Sequence, residues 1–149
     1  MLSAIARTVE STVPRVLIVD DDGAIRTLLS TVLKRRQYEL ALARNGLEAI
    51  EAIGSSTFDA IILDLMMPKV DGFEVIDYLE RRSPGLPERR VIILTAAAGK
   101  DLRKLDGQKV FRVIRKPFDL DELVEAVNEC TKQRSTEDDG LTSKQLTVA

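Results

Sequence analysis

Ala60-Ile61-Ile62-Leu63-Asp64-Leu65-Met66-Met67-Pro68-Lys69-Val70-Asp71-Gly72 is the stretch that decides the fold. An unbroken apolar run leads straight into an acid. A run with no polar alternation suits a strand buried on both faces of a parallel sheet. Asp64 then stands at the carboxyl end of that strand, the edge where ligands bind in open α/β sheets. Asp71-Gly72 starts a helix that carries Phe73, Val75, Ile76 and Leu79 on one stripe.

The same design recurs to either side. Val16-Leu17-Ile18-Val19 leads into Asp20-Asp21-Asp22, Val91-Ile92-Ile93-Leu94 into Thr95, and Val113-Ile114, after Val110-Phe111, into Arg115-Lys116. Strands are predicted at 15–20, 38–43, 58–64, 90–95 and 110–115. Helices are predicted from Gly23 to Gln37, with Asp22 as its cap, and from Asn45-Gly46 to Gly54-Ser55-Ser56. A third runs from Asp71-Gly72 until Ser83-Pro84-Gly85-Leu86-Pro87 ends it. A short weak one spans Asp101 to Leu105, closed by Asp106-Gly107, and the last runs from Asp119 to Thr131. Strict alternation of strand and helix implies right-handed crossovers. The expected fold is α/β, a doubly wound parallel sheet of five strands. Residues 14–131 are expected to form the domain, 1–13 a mobile arm or a loosely attached helix, and 132–149 a polar, disordered tail.

Composition narrows the function. A chain of 149 residues, 44% hydrophobic and 31% charged, reads as one ordinary globular domain. The net charge of −2 gives no general attraction to nucleic acid or anionic membrane. No apolar run approaches the ~20 residues of a membrane helix. Met1-Leu2-Ser3-Ala4-Ile5-Ala6-Arg7 lacks the apolar core of a secretory signal, and the lone Cys130 allows no internal disulfide. A cytoplasmic location is expected. The chain has no His, which excludes His–metal sites and His-based acid–base chemistry.

Three acids, a hydroxyl and an ammonium at one sheet edge suit a divalent cation and a phosphoryl group. Two carboxylates ~4 Å apart repel by ~4 kcal/mol at an effective dielectric of about 20. A hard cation, Mg²⁺ or Mn²⁺, relieves that repulsion, and oxygen ligands without nitrogen or sulfur select it over Zn²⁺. A carboxylate beside such a metal can attack phosphorus. Thr95 and Lys116 can serve the developing charge. Each residue also has a plainer reading: a cap for Asp22, a turn residue for Thr95, a solvated charge for Lys116.

Val19-Asp20-Asp21-Asp22-Gly23-Ala24-Ile25-Arg26, Leu63 through Gly72, Leu94-Thr95-Ala96 and Lys116-Pro117-Phe118 together resemble the receiver (response-regulator) domain of two-component phosphorelay signalling, of the stand-alone type. The resemblance covers about residues 14–131. It implies a flavodoxin-like fold and a phosphoryl group accepted on Asp64 from a sensor histidine kinase or a histidine phosphotransfer protein. It assigns the metal to Asp20, Asp21, Asp64 and the Met66 carbonyl, and phosphate contact and switching to Thr95, Ala96 and Lys116. Met66 and Ala97 fall at the two variable positions that tune phosphoryl lifetime, and neither can orient a water by hydrogen bonding. The family often has an aromatic three residues before the Lys. Here that residue is Val113, so a Thr–aromatic switch does not carry over. The stretch from Gly99 to Lys109 also lacks the Gly-Ala pair usual before the fifth strand.

The resemblance implies a signalling phosphoacceptor rather than an enzyme. Its output is a changed surface read by a downstream protein or a second copy, since no basic recognition helix for DNA is evident. Two alternatives use the same residues. A pseudo-receiver would only bind partners. Asp20-x-Asp22 also resembles the haloacid-dehalogenase phosphatase motif, with Asp20 as nucleophile and Asp22 as general acid, a reading that leaves Asp64 and the Met67-Pro68 loop unexplained.

Overall fold

The computed structural model describes residues 13–132. The expected arm and tail lie almost wholly outside that range. Each apolar run forms a strand: β1 Arg15–Val19, β2 Glu39–Ala43, β3 Ala60–Leu63, β4 Val91–Thr95 and β5 Arg112–Arg115. They make one parallel sheet in the order β2-β1-β3-β4-β5. The strand order reverses between β1 and β3, so the crevice of this doubly wound sheet opens at their carboxyl ends. Among the described residues no helix is long and apolar enough to cross a membrane.

Pleating splits each run between two cores. Val16, Ile18, Ile62, Ile92 and Ile114 pack against Leu29 and Leu33 of α1 (Gly23–Arg35) and Leu123 and Val127 of α6 (120–132). Leu17, Val19, Ile61, Leu63 and Ile93 pack against Ile53 of α2 (Gly46–Ser55) and Val75 and Leu79 of α3 (Gly72–Arg82). Burial on both faces explains why β1, β3 and β4 show no polar alternation. Asp22, Asn45 and Asp71 cap α1, α2 and α3 through side-chain oxygens. Each such cap contributes about 1 kcal/mol.

Several boundaries differ from those predicted. The Ser83–Pro87 stretch ends α3 but also starts a one-turn helix, α4 (Leu86–Arg90), with Gly85 at φ +83° before it and Pro87 in its first turn. Proline is tolerated there because the first amides of a helix have no intrahelical acceptor. Asp106-Gly107 does not close the short helix α5 (Lys100–Arg103). It opens a 3₁₀ turn, Gly107–Lys109, in which the Asp106 carboxylate accepts the Gln108 amide. Strand β5 begins at Arg112, two residues late, although Phe111 already donates its amide to the Val91 carbonyl. Asp119 accepts the Asp121 amide and stands just before α6.

Neither α5 nor the 3₁₀ turn contributes a buried residue. Segments with so few buried contacts open at low free energy. Amide exchange in the free protein should therefore be much faster across 98–109 than in β1 or β3. Hydrogen-exchange mass spectrometry checks this, and protection of 98–109 equal to that of the strands would contradict it.

Candidate functional site

Parallel register builds the site. Val19 pairs with Leu63, so Asp20 and Asp64 emerge side by side where β1 and β3 end. The ladder continues past both strands: the Asp64 amide donates to the Val19 carbonyl at 3.0 Å and the Asp20 amide to the Ala43 carbonyl at 3.2 Å. Both acids are buried, 2% and 4% exposed, whereas Asp21 lies exposed at the mouth. Thr95 ends β4 fully buried. The Lys116 amide donates to the Thr95 carbonyl at 2.9 Å, which carries Lys116 to the same edge.

Lys116 Nζ lies 2.8 Å from Asp20 Oδ2 and 3.5 Å from Asp64 Oδ2. One carboxylate oxygen from each of Asp20, Asp21 and Asp64 lies within 4.8 Å of the other two. Three carboxylates face one ammonium, and the deficit matches a divalent cation. The donors are all hard oxygens in a chain without His, a set that fits Mg²⁺ or Mn²⁺. Met66 donates its amide to Asp64 Oδ1 at 3.2 Å, and its side chain is exposed. Thr95 Oγ1 accepts the Ala97 amide at 3.1 Å; Ala97 is buried and Ala96 exposed. Val113 pairs with Ile93 and is half-buried against the α2–α3 core.

Burial pushes the Asp64 carboxyl above the usual carboxylate range, and the nearby Asp20 charge adds to this. The Lys116 ammonium, the Met66 amide and the Thr95 hydroxyl oppose the shift without cancelling it. Burial alone would lower the Lys116 ammonium. Its hydrogen bond to Asp20 and the charges of Asp64 and Asp20 outweigh that and hold it above the ordinary lysine value.

The loop after Asp64 is wedged. A Cβ on Gly72 would sit 2.4 Å from the Asp64 carbonyl oxygen, and one on Gly46 would sit 2.2 Å from the Val70 carbonyl oxygen. Only glycine permits both approaches. Lys69 turns the loop at φ +67°.

Arg26 is a site residue that sequence reasoning left without a role. Its Nη1 donates to the Asp20 carbonyl at 2.6 Å, and Asp20 Oδ1 accepts the Asp22 amide at 2.9 Å. One turn of helix separates Asp22 from Arg26, and that spacing is the only signal the sequence offers. Asp22 itself faces the helix, where Oδ1 accepts the Ala24 amide. It serves as a cap, a placement that leaves the phosphatase-like motif without its general acid.

Residues 16–128 match the response regulator receiver domain family, and the chain belongs to that family. It is 37% identical over 132 residues to the response regulator MprA of Mycobacterium ulcerans, covering 84% of this chain and 53% of that protein. The Mycolicibacterium vanbaalenii MprA is 38% identical over 133 residues, again covering 85% and 53%. The chain thus spans about half the length of the curated relatives it matches. Among solved structures, a CheY-like receiver domain protein from Methanospirillum hungatei superposes with a TM-score of 0.75 at 25% identity, covering 84% of this chain and 98% of that one. The response regulator TrrA from Thermotoga maritima, in complex with Mg²⁺–BeF, gives 0.67 at 34% identity, covering 78% and 98%. The flavodoxin-like fold expected from the motifs is the one observed.

A carboxyl that holds its proton more tightly when folded makes stability fall as pH rises through its titration. At neutral pH the ionised Asp64 therefore costs the metal-free fold some stability. Asp64→Asn should melt above wild type at pH 7 in chelator. That advantage should shrink as pH falls through the raised Asp64 titration and be gone below the ordinary carboxylate range. Thermal melts of both proteins across pH check the sign, and a lower melting temperature for the variant at pH 7 would contradict it.

Proposed function

We propose that this receiver domain is a phosphoryl acceptor in two-component signalling, with Asp64 as the residue modified. The observation that carries the reading is the buried Asp64 carboxylate at the end of β3, 3.5 Å from Lys116 Nζ and clustered with Asp20 and Asp21. The donor is a histidine of a sensor kinase or of a phosphotransfer protein. An Asp64 oxygen attacks phosphorus, the P–N bond breaks, and the imidazole leaves with the electron pair. Asp20, Asp21, Asp64 and the Met66 carbonyl are the ligands for Mg²⁺ or Mn²⁺. A bound cation offsets the charge that gathers on the phosphoryl oxygens.

Lys116 exchanges an Asp64 oxygen for a phosphoryl oxygen, and Thr95 turns its hydroxyl toward the same group. Ala96 lies exposed beside Thr95, where its amide can serve the phosphoryl group as well. Thr95 and Lys116 flank the lightly anchored 96–109 segment in sequence, and drawing both inward reorganises it. Val113 leaves no aromatic ring to flip, so this segment carries the change to a surface read by a protein partner or a second copy. The chain acts as a signalling phosphoacceptor rather than a conventional enzyme, and its site of action is the cytoplasm.

With acetyl phosphate and Mg²⁺, intact-mass analysis should show one hydroxylamine-labile phosphoryl adduct on wild type and none on Asp64→Asn. Retention of the adduct by the variant would refute the assignment.

Mg²⁺ should also raise the melting temperature of wild type, because a ligand of the folded state alone stabilises it. Asp21→Ala should lose most of that rise. An undiminished rise in the variant would remove Asp21 from the ligand set.

A further inference from the structure

In a parallel sheet the helices that return the chain end at the edge where the strands begin. At this edge, opposite Asp64, α1 ends on Lys34 and Arg35 with Arg36 as its C-cap, and α3 ends on Arg81 and Arg82. The short α4 ends there on Arg89 and Arg90. Cations at a helix carboxyl end complement the macrodipole, which accounts for each group taken singly. It does not account for where the chain goes next. The Tyr38 hydroxyl, two residues beyond Arg36, bonds to Asn128 in the last turns of α6 and lies 3.4 Å from Thr131 Oγ1. On the other side Cys130 Sγ lies 3.3 Å from the Arg89 carbonyl oxygen. The chain therefore reaches Lys132 between the end of α1 and the end of α4.

Lys34, Arg35 and Arg36 are exposed. Among the described residues no carboxylate lies within ion-pair distance of them, of Arg82 or of Arg90. Arg82 Nη1 donates to the Tyr78 hydroxyl at 3.1 Å and Arg90 Nη1 to the Phe58 carbonyl at 3.0 Å, and both acceptors are neutral. Five residues past Lys132 the sequence reads Glu137-Asp138-Asp139, with no Lys or Arg from 135 to 143. Five residues of chain span at most about 17 Å, enough to reach either helix end from Lys132.

We propose that Glu137-Asp138-Asp139 docks on this basic edge and bridges the carboxyl ends of α1 and α4 as an intramolecular strap. Charge and reach agree: a run of acids follows directly after the chain passes between two uncompensated basic groups. A single exposed ion pair contributes little. Three contiguous acids on one short tether act together, at an effective concentration on the order of millimolar. The net charge of −2 gives nucleic acid no general attraction to the chain, which favours the chain's own acids as the occupant. The strap lies opposite Asp64 and needs no phosphorylation there. An anionic partner that reads this edge must first displace it.

A nitroxide on Gly140→Cys in the full chain tests this by NMR, with the identically treated chain lacking that change as control for the buried Cys130. At low salt the amide signals of 34–37 and 89–91 should be severalfold weaker than in the same labelled chain carrying Glu137→Gln, Asp138→Asn and Asp139→Asn. Arg35→Gln with Arg36→Gln, an exposed pair of changes, should weaken the effect at 34–37, and unshifted amides in β1 and β3 verify the fold. At about 1 M salt, where the screening length is about 3 Å, labelled wild type should match the neutralised chain. Equal broadening with and without the three acids overturns the proposal, because a tether alone would then explain it. Broadening that survives high salt overturns it too. Broadening lost on dilution assigns the acids to a second copy, and retention of a short DNA duplex by wild type and neutralised chain alike assigns the edge to nucleic acid. Either result also overturns the strap.

Discussion

Two buried carboxylates, a third exposed at the mouth and one ammonium share one edge of the sheet, and much of the local structure exists to hold that imbalance. Asp20 and Asp64 would separate if they could. Parallel pairing of β1 with β3 prevents it, because Val19 and Leu63 are locked in register directly beneath them. Lys116 spans both acids from β5, two strands away from β3, so its place depends on every pairing across the sheet from β1 to β5. The two cores matter to the site for this reason. They hold the strands in the register that brings the charges at three strand ends together.

The backbone around the acids is equally constrained. Arg26 ties the first turn of α1 to the Asp20 carbonyl, and the Asp22 amide holds one Asp20 oxygen. Gly72 allows α3 to start against the Asp64 carbonyl. The acids are thus presented by main-chain geometry rather than by side-chain packing. That distinction explains why Asp64 can be buried and strongly desolvated while one of its oxygens is held by Lys116 and the other by the Met66 amide.

Much of this was legible in the amino-acid order. Continuous β-branched runs read correctly as doubly buried strands, and Asp20, Asp64 and Thr95 sit where such runs stop. The capping acid at Asp22 read correctly because a cap needs only a short side chain before a helical stripe. The errors fell where local signals have two outcomes. Ser83-Pro84-Gly85-Leu86-Pro87 carries breakers, but a proline in a first helical turn is a start as well as a stop. Asp106-Gly107 similarly reads as an end and folds as a beginning. The basic edge was invisible as a unit, since its cations come from α1, α3 and α4 and only the fold brings those helix ends together. Arg26 was hidden for the opposite reason: an arginine near the start of a helix looks like any other.

The wedge at Gly46 and Val70 gives the Asp64 site a stiff side and a soft side. The loop that follows Asp64 abuts the first residue of α2 with no space for even a methyl group. It has no room to yield in that direction. Across the site, the chain after Thr95 runs through Gly99 and a single helical turn with no buried side chain. Any load placed on Asp64 is therefore rectified: it meets a wall toward α2 and gives way toward α5. The surroundings of Asp64 are thus unequally compliant, close-packed at two glycines on one side and without buried anchors on the other.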